Sequence, residues 1–392
     1  MPDYKDIRFL ESTTNLREIL SRNSGRELSL ERANQIAACL EQGRLLFESA
    51  QNVGWEIKPL LVYYGMVGFS KAIILARNFS KLESLPPRHG LVDLSDSPRI
   101  EKLKVRFERD GTFQGLNDSC SSLEKLIYHD TQGVKQRISR PTCEAKLLEG
   151  KEITLKEILG RIPDLEDLYR KTFGEEPLVL SISHFSATRG YSDSIEFTVG
   201  SSPLFTKMNN LSDFVNQLSS RFAFLENWCV SYAKPNLGVT FANLDREGKP
   251  EIPPYDPHVN AHYFQLQRSI WIGSTPREAR HSPPYTFNLA GLAANCQPVR
   301  GNLTRTVEST CLIEQWNGLF LSELSLYLLG MFLLSCLVRY RPHIWANSIA
   351  RRSFPEKPLD DYALVLIEEF IDLSFTVFPQ ATVIAINEPF CD

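Results

Sequence analysis

The chain has 392 residues, of which 43% are hydrophobic and 23% charged, and a formal net charge of −4. That length is enough to bury a sizeable core or to make two domains, and the composition excludes a mainly disordered chain. The slight acidic excess excludes a globally basic nucleic-acid binder, although a local basic patch can still attract an anion.

From the N-terminus the pattern is helical. Leu10 to Leu20 reads as a short amphipathic stretch broken by Asn23-Ser24-Gly25-Arg26. Ser29 is placed to cap a helix from Leu30 to Asn52, on which Ile36, Leu40, Phe47 and Ala50 recur at helical spacing. Gly54 ends that helix. Pro59 suits the first turn of the next, which runs to Asn78, is apolar nearly all round and carries Lys71 inside it.

Beyond Pro86 short β-branched and aromatic runs alternate with turn residues. Lys102 to Glu108 and Thr112 to Leu116, joined across Arg109-Asp110-Gly111, read as a hairpin because Asp-Gly supplies positive φ angles. A helix is expected from Thr154 to Gly160, with Ile162-Pro163-Asp164 opening a further turn. Strands are expected at Leu178 to Phe185, Ser194 to Gly200, Leu237 to Asn243 and Ser269 to Gly273, with a helix from Leu211 to Phe224 between them.

The last third returns to helix. Val307 to Val338 has long apolar periodicity with a break expected near Asn317-Gly318, and Asp360-Asp361 begin a helix that should stop before Pro379. The uncharged run Leu324 to Val338 falls below the roughly 18 to 20 residues that cross a bilayer, so a buried helix is expected there and no membrane contact. The fold class is therefore α+β. Residues 1–85 and 300–392 are expected to pack as one helical body, with 86–299 as a β-rich middle lobe.

The eight cysteines form no Cys-x-x-Cys pair, and Met1 to Asp6 lacks the basic-then-apolar pattern of a signal peptide. Free thiols in a reducing cytoplasm are expected. No dinucleotide fingerprint, phosphate-binding glycine loop or nucleophile elbow is present, so neither a cofactor nor a metal is expected. His258 and His262 are four apart, but nearby prolines oppose a helix that would aim both at one ion. Glu144-Ala145-Lys146 could end a metal-dependent nuclease motif, yet no acidic residue on a strand precedes it convincingly.

Several phrases together resemble the YaaC-like family of bacterial proteins. They are Gln42-Gly43-Arg44 with Phe47 and Ala50, Pro59-Leu60-Leu61 with Tyr63-Tyr64-Gly65 and Lys71-Ala72, then His89-Gly90-Leu91, and finally Arg339-Tyr340 with Pro342 and Trp345. The resemblance implies a bacterial cytoplasmic protein and brings no activity, cofactor or catalytic residue with it.

Candidate ligand-binding residues are Lys71, His89, Arg339, Tyr340 and Trp345. An arginine with aromatic neighbours can hold a phosphate or stack on a base, while a lysine on a buried helix and His89 beside Arg88 can share an anion. The bland alternatives are that Arg339 caps carbonyls at its helix end, Tyr340 and Trp345 seal the core edge, Lys71 snorkels and His89-Gly90 shapes a turn. The function expected is recognition of an anionic ligand, a nucleic acid or a protein partner, including a second copy, with stress response or phage defence as the setting. The competing class is a metal-independent ribonuclease using Arg339 and His343. That pair resembles the catalytic arginine and histidine of HEPN-type nucleases, but only three residues intervene here and Pro342 is one of them.

Overall fold

The computed structural model describes residues 4–97, 99–120, 125–129, 135–139, 143–188, 192–199, 229–234, 238–240, 264–271, 310–349, 361–388 and 390. The N-terminal segment forms α1 (Lys5–Leu10), α2 (Thr13–Ser24), α3 (Leu30–Gln51) and α4 (Lys58–Asn78). The expected single stretch from Leu10 to Leu20 is two helices, because the Ser12 hydroxyl accepts from the Asn15 N–H and starts a new one. Ser29 caps α3 as expected, accepting from the Arg32 N–H at 3.3 Å, and Pro59 lies in the first turn of α4.

Glycines let α3 and α4 approach until their backbones touch. A Cβ on Gly68 would stand 2.9 Å from the Gly43 nitrogen and 3.0 Å from the Cys39 carbonyl oxygen. Phe69 covers Gly43, and Phe47 covers Gly65, whose Cβ would fall 2.3 Å from the ring. The phrases around Gly43 and Gly65 are thus the two sides of one helix crossing.

A three-stranded antiparallel sheet follows, in the order β1 (Leu91–Asp93), β2 (Lys104–Phe107), β5 (Glu152–Thr154). Val92 pairs with Arg106 and Val105 with Ile153, and Val105, Phe107 and Ile153 are buried. The hairpin expected across Asp110-Gly111 does not form. Its second half is a helix, α5 (Thr112–Cys120), because the carbonyls of Arg88 and His89 accept the N–H groups of Thr112 and Phe113 at 3.0 Å, satisfying donors a helix start leaves open. Between β2 and β5 the chain also pairs β3 (Lys125–His129) with β4 (Lys135–Ser139).

The helix expected at Thr154 is α6 (Leu155–Leu159), closed at its start by a capping box between Thr154 and Glu157, and α7 (Glu166–Phe173) follows. A second sheet is antiparallel throughout, in the order β11-β6-β7-β10-β8-β9. Its strands are β6 (Val179–Thr188), β7 (Ser192–Val199), β8 (Cys229–Lys234), β9 (Gly238–Thr240), β10 (Phe264–Trp271) and β11 (Thr310–Ile313). The expected helix at 211–224 and the histidines 258 and 262 lie outside the described residues.

The expected helical run from 307 to 338 begins instead with strand β11, which pairs with β6. Asn317 and Gly318 turn the chain with φ of 49° and 72°, where the break was expected. Then come α8 (Glu323–Tyr340), capped by Ser322, α9 (Pro342–Ile349) and α10 (Asp361–Asn387). α10 does not stop before Pro379 but carries it inside. Burial of Phe375, Val377, Phe378 and Ala381 around the proline outweighs the ~3 kcal/mol it costs a helix interior.

α4, α8 and α10 form the centre of the α+β fold. Tyr327 stacks on Phe370 at 5.3 Å, and Arg77 of α4 donates to the Glu388 carbonyl at 2.8 Å just past α10. One hydrophobic cluster joins these helices to Leu91, Val105, Phe113, Ile153 and Tyr169. α4 and α8 are long and apolar enough to cross a membrane by length and composition, and 78% and 89% of their apolar windows are buried inside the protein.

Candidate functional site

Three segments meet on one side of the central helices. α4 brings Tyr63, Tyr64 and, two turns on, Lys71; α8 brings Phe332, Cys336 and Arg339; the turn before β1 brings His89. Tyr64 and Lys71 are seven residues apart, which on a helix of 3.6 residues per turn places them on one face. The turn is fixed from below by α5. Gln114 donates to the Gly90 and Glu108 carbonyls at 2.9 and 2.8 Å, and Gly90 takes φ of 80° against it, where a Cβ would collide with the Gln114 side chain.

His89 packs among rings. Its imidazole lies 5.3 Å from Tyr63, 6.1 Å from Tyr64 and 6.2 Å from Phe332. Burial pushes its pKa below the ordinary 6.5, and the positive charges of Arg339 and Lys71 push it further the same way. The structure therefore brings both Lys71 and Arg339 within electrostatic reach of His89.

Arg339 is held by weak acceptors. Its Nε donates to the Ser335 carbonyl at 3.3 Å, Nη1 to the Tyr64 hydroxyl at 3.3 Å, and Nη2 to Cys336 Sγ at 3.3 Å and Ser335 Oγ at 3.5 Å. Burial pushes the Cys336 thiol up to about 11, so it is a neutral thiol near pH 7 and offers the guanidinium no counter-charge. Burial likewise holds the Tyr63 hydroxyl well above its usual range. Among the described residues, neither Lys71 nor Arg339 has a carboxylate partner, and Lys71 makes no hydrogen bond.

The neighbouring acids are committed elsewhere. Asp93 binds Arg341 at 2.8 Å, and Arg341 also donates to the Ser97 carbonyl, while Asp110 takes Arg88 at 2.5 Å. Arg88 is thereby turned from the anion it was expected to share with His89.

Of the other expected residues, Tyr340 is 68% exposed with its ring 5.1 Å from the Arg339 guanidinium carbon. Trp345 is only 1% exposed, and its indole N–H donates to the Trp55 carbonyl at 2.9 Å, so it belongs to the core as the bland reading has it. His343 is exposed at the start of α9, and no described hydrogen bond or ring contact joins it to Arg339. Lys146 pairs with Glu144 on a helical turn and not on a strand. Tyr63, Tyr64, Phe332 and Cys336 were not among the expected site residues. The signal for the first two was their place in the phrase Tyr63-Tyr64-Gly65, seven residues before Lys71-Ala72. Among the described residues no three His, Cys, Asp or Glu side chains stand together as a metal site.

Fold and site together define an α+β protein with a cationic, aromatic-walled cluster on its helical core. The chain belongs to the YaaC-like protein family, whose model matches residues 3–386. No match is found among curated proteins or among solved structures.

Proposed function

We propose that this is a recognition protein that binds an anionic group between Lys71, His89 and Arg339. One observation carries the reading: the charges of Lys71 and Arg339, from separate segments, both act on His89 while no acid is paired with either cation among the described residues. Like charges around His89 repel its charged form, adding to the effect of burial in lowering its pKa, and an anion placed among them relieves the repulsion. The bland capping role of Arg339 accounts for its contact with the Ser335 carbonyl but not for its charge, with that of Lys71, acting on His89. Four described cysteines are free thiols, which supports an intracellular setting.

The test is calorimetric titration of the purified chain with sulfate and phosphate at low salt. Saturable binding that is lost in Arg339→Gln and Lys71→Gln supports the reading, and wild-type protein that binds neither anion removes it. RNA cleavage without divalent metal that disappears in His343→Ala would replace recognition by catalysis.

A further inference from the structure

Resting on the anion site proposed above, we infer that its ligand carries the anion on a planar ring and is of mononucleotide size, with the phosphate at Arg339 and the base against Tyr340 and Tyr64. Binding a bare anion would require cations alone, yet this cluster has an exposed aromatic border. Tyr340 and Tyr64 lie 5.1 and 5.9 Å from the Arg339 guanidinium carbon and are 68% and 36% exposed. Neither ring is fully taken up by the core, so each keeps surface open beside the phosphate donors. Tyr64 links the two parts of the site, since its hydroxyl accepts from Arg339 while its ring lies 6.1 Å from His89.

The guanidinium is pre-oriented without being used up. Its four contacts lie at 3.3 to 3.5 Å, the long end of hydrogen bonding, and go to a carbonyl, two hydroxyls and a thiol. With five N–H donors on an arginine, one on Nη1 has no described partner, and a phosphate oxygen is a stronger acceptor than any of the four present. The planar fork suits a phosphate, and its π-face suits a neighbouring base.

Charge sets the size. Two permanent cations and a titratable imidazole match one phosphate, and a chain of net charge −4 gives little pull toward a polyanion. A single nucleotide satisfies both the charge and the rings. Base stacking on an aromatic side chain is worth roughly a ten- to hundredfold gain in affinity.

The experiment titrates the full chain with adenosine 5′-monophosphate, ribose 5-phosphate and sulfate, in wild type and in Tyr340→Ala. The exposure of Tyr340 makes that variant safe for the fold, which a thermal melt checks. We expect the nucleotide to bind at least about tenfold more tightly than ribose 5-phosphate. Tyr340→Ala should erase most of that difference, bringing the affinity for the nucleotide down toward that for ribose 5-phosphate. Equal affinity for the two phosphates in wild type, with both competed by sulfate and lost in Arg339→Gln, would overturn the ring while leaving the anion site standing. No binding of any of the three would overturn both.

Discussion

Gly43 of α3 and Gly68 of α4 meet backbone to backbone, so closely that a Cβ on Gly68 would lie 3.0 Å from the Gly43 Cα. In an exposed helix, glycine to alanine gains up to about 1 kcal/mol from propensity. Here the atoms in the way are backbone and cannot rotate aside. Gly68→Ala should therefore destabilise the protein by about 1–3 kcal/mol despite that gain. Urea denaturation compares the midpoints, and an unchanged or raised midpoint would show that the crossing is looser than described.

Arg77 ties the end of α4 to the end of α10. It is buried, donates to the Ala385 and Glu388 carbonyls and lies 4.0 Å from the Phe390 ring. Arg77→Ala leaves carbonyls at the end of α10 short of a donor, at a cost of about 1–3 kcal/mol. Arg77→Lys should recover only part of this, since one ammonium cannot reproduce the planar fork. Thermal melts of both variants measure the difference.

The lowered His89 pKa fixes the sign of a pH effect. The unfolded chain takes up the proton near the ordinary value of 6.5 and the folded chain only below it. Stability held by the neutral imidazole is thus complete above 6.5 and is lost as pH falls toward the folded value. An anion bound beside His89 reverses this by favouring the charged ring. Sulfate, whose charge is constant over this range, should raise the melting temperature more at about pH 5.5 than at about pH 7.5. His89→Gln should flatten the dependence; a wild-type shift independent of pH would place the anion away from His89.

Cys39 and Cys336 are buried thiols pushed up to about 11 by that burial. Both should resist iodoacetamide near neutral pH until the protein unfolds, whereas the partly exposed Cys143 should react first. Mass spectrometry of pulse-labelled protein across a denaturant series checks the order. Native labelling of Cys336 at the rate of Cys143 would show that the Arg339 end of α8 opens readily.

Elements whose signals are local were legible in the chain. Ser29, Pro59 and Thr154 mark helix starts that stand where expected, because caps and prolines act through their nearest neighbours. The hairpin expected at Asp110-Gly111 and the stop expected at Pro379 are absent for one shared reason. In each case contacts beyond the turn itself override the local preference: the Arg88 and His89 carbonyls receive the start of α5, and burial of the residues around Pro379 holds α10 together across it.

The site shows the same division. By itself the sequence determined the family, the α+β class and the short roll of charged and aromatic residues with chemistry to offer, among them Lys71, His89, Arg339 and Tyr340. Only the tertiary structure decided which of them share a space. Arg339 meets Tyr64 across 275 positions, Arg341 removes Asp93 from the cluster, and Trp345 turns inward to the Trp55 carbonyl. Residue type and spacing are carried along the chain, but the field at an imidazole depends on distances through space, which the packing of α4 against α8 sets.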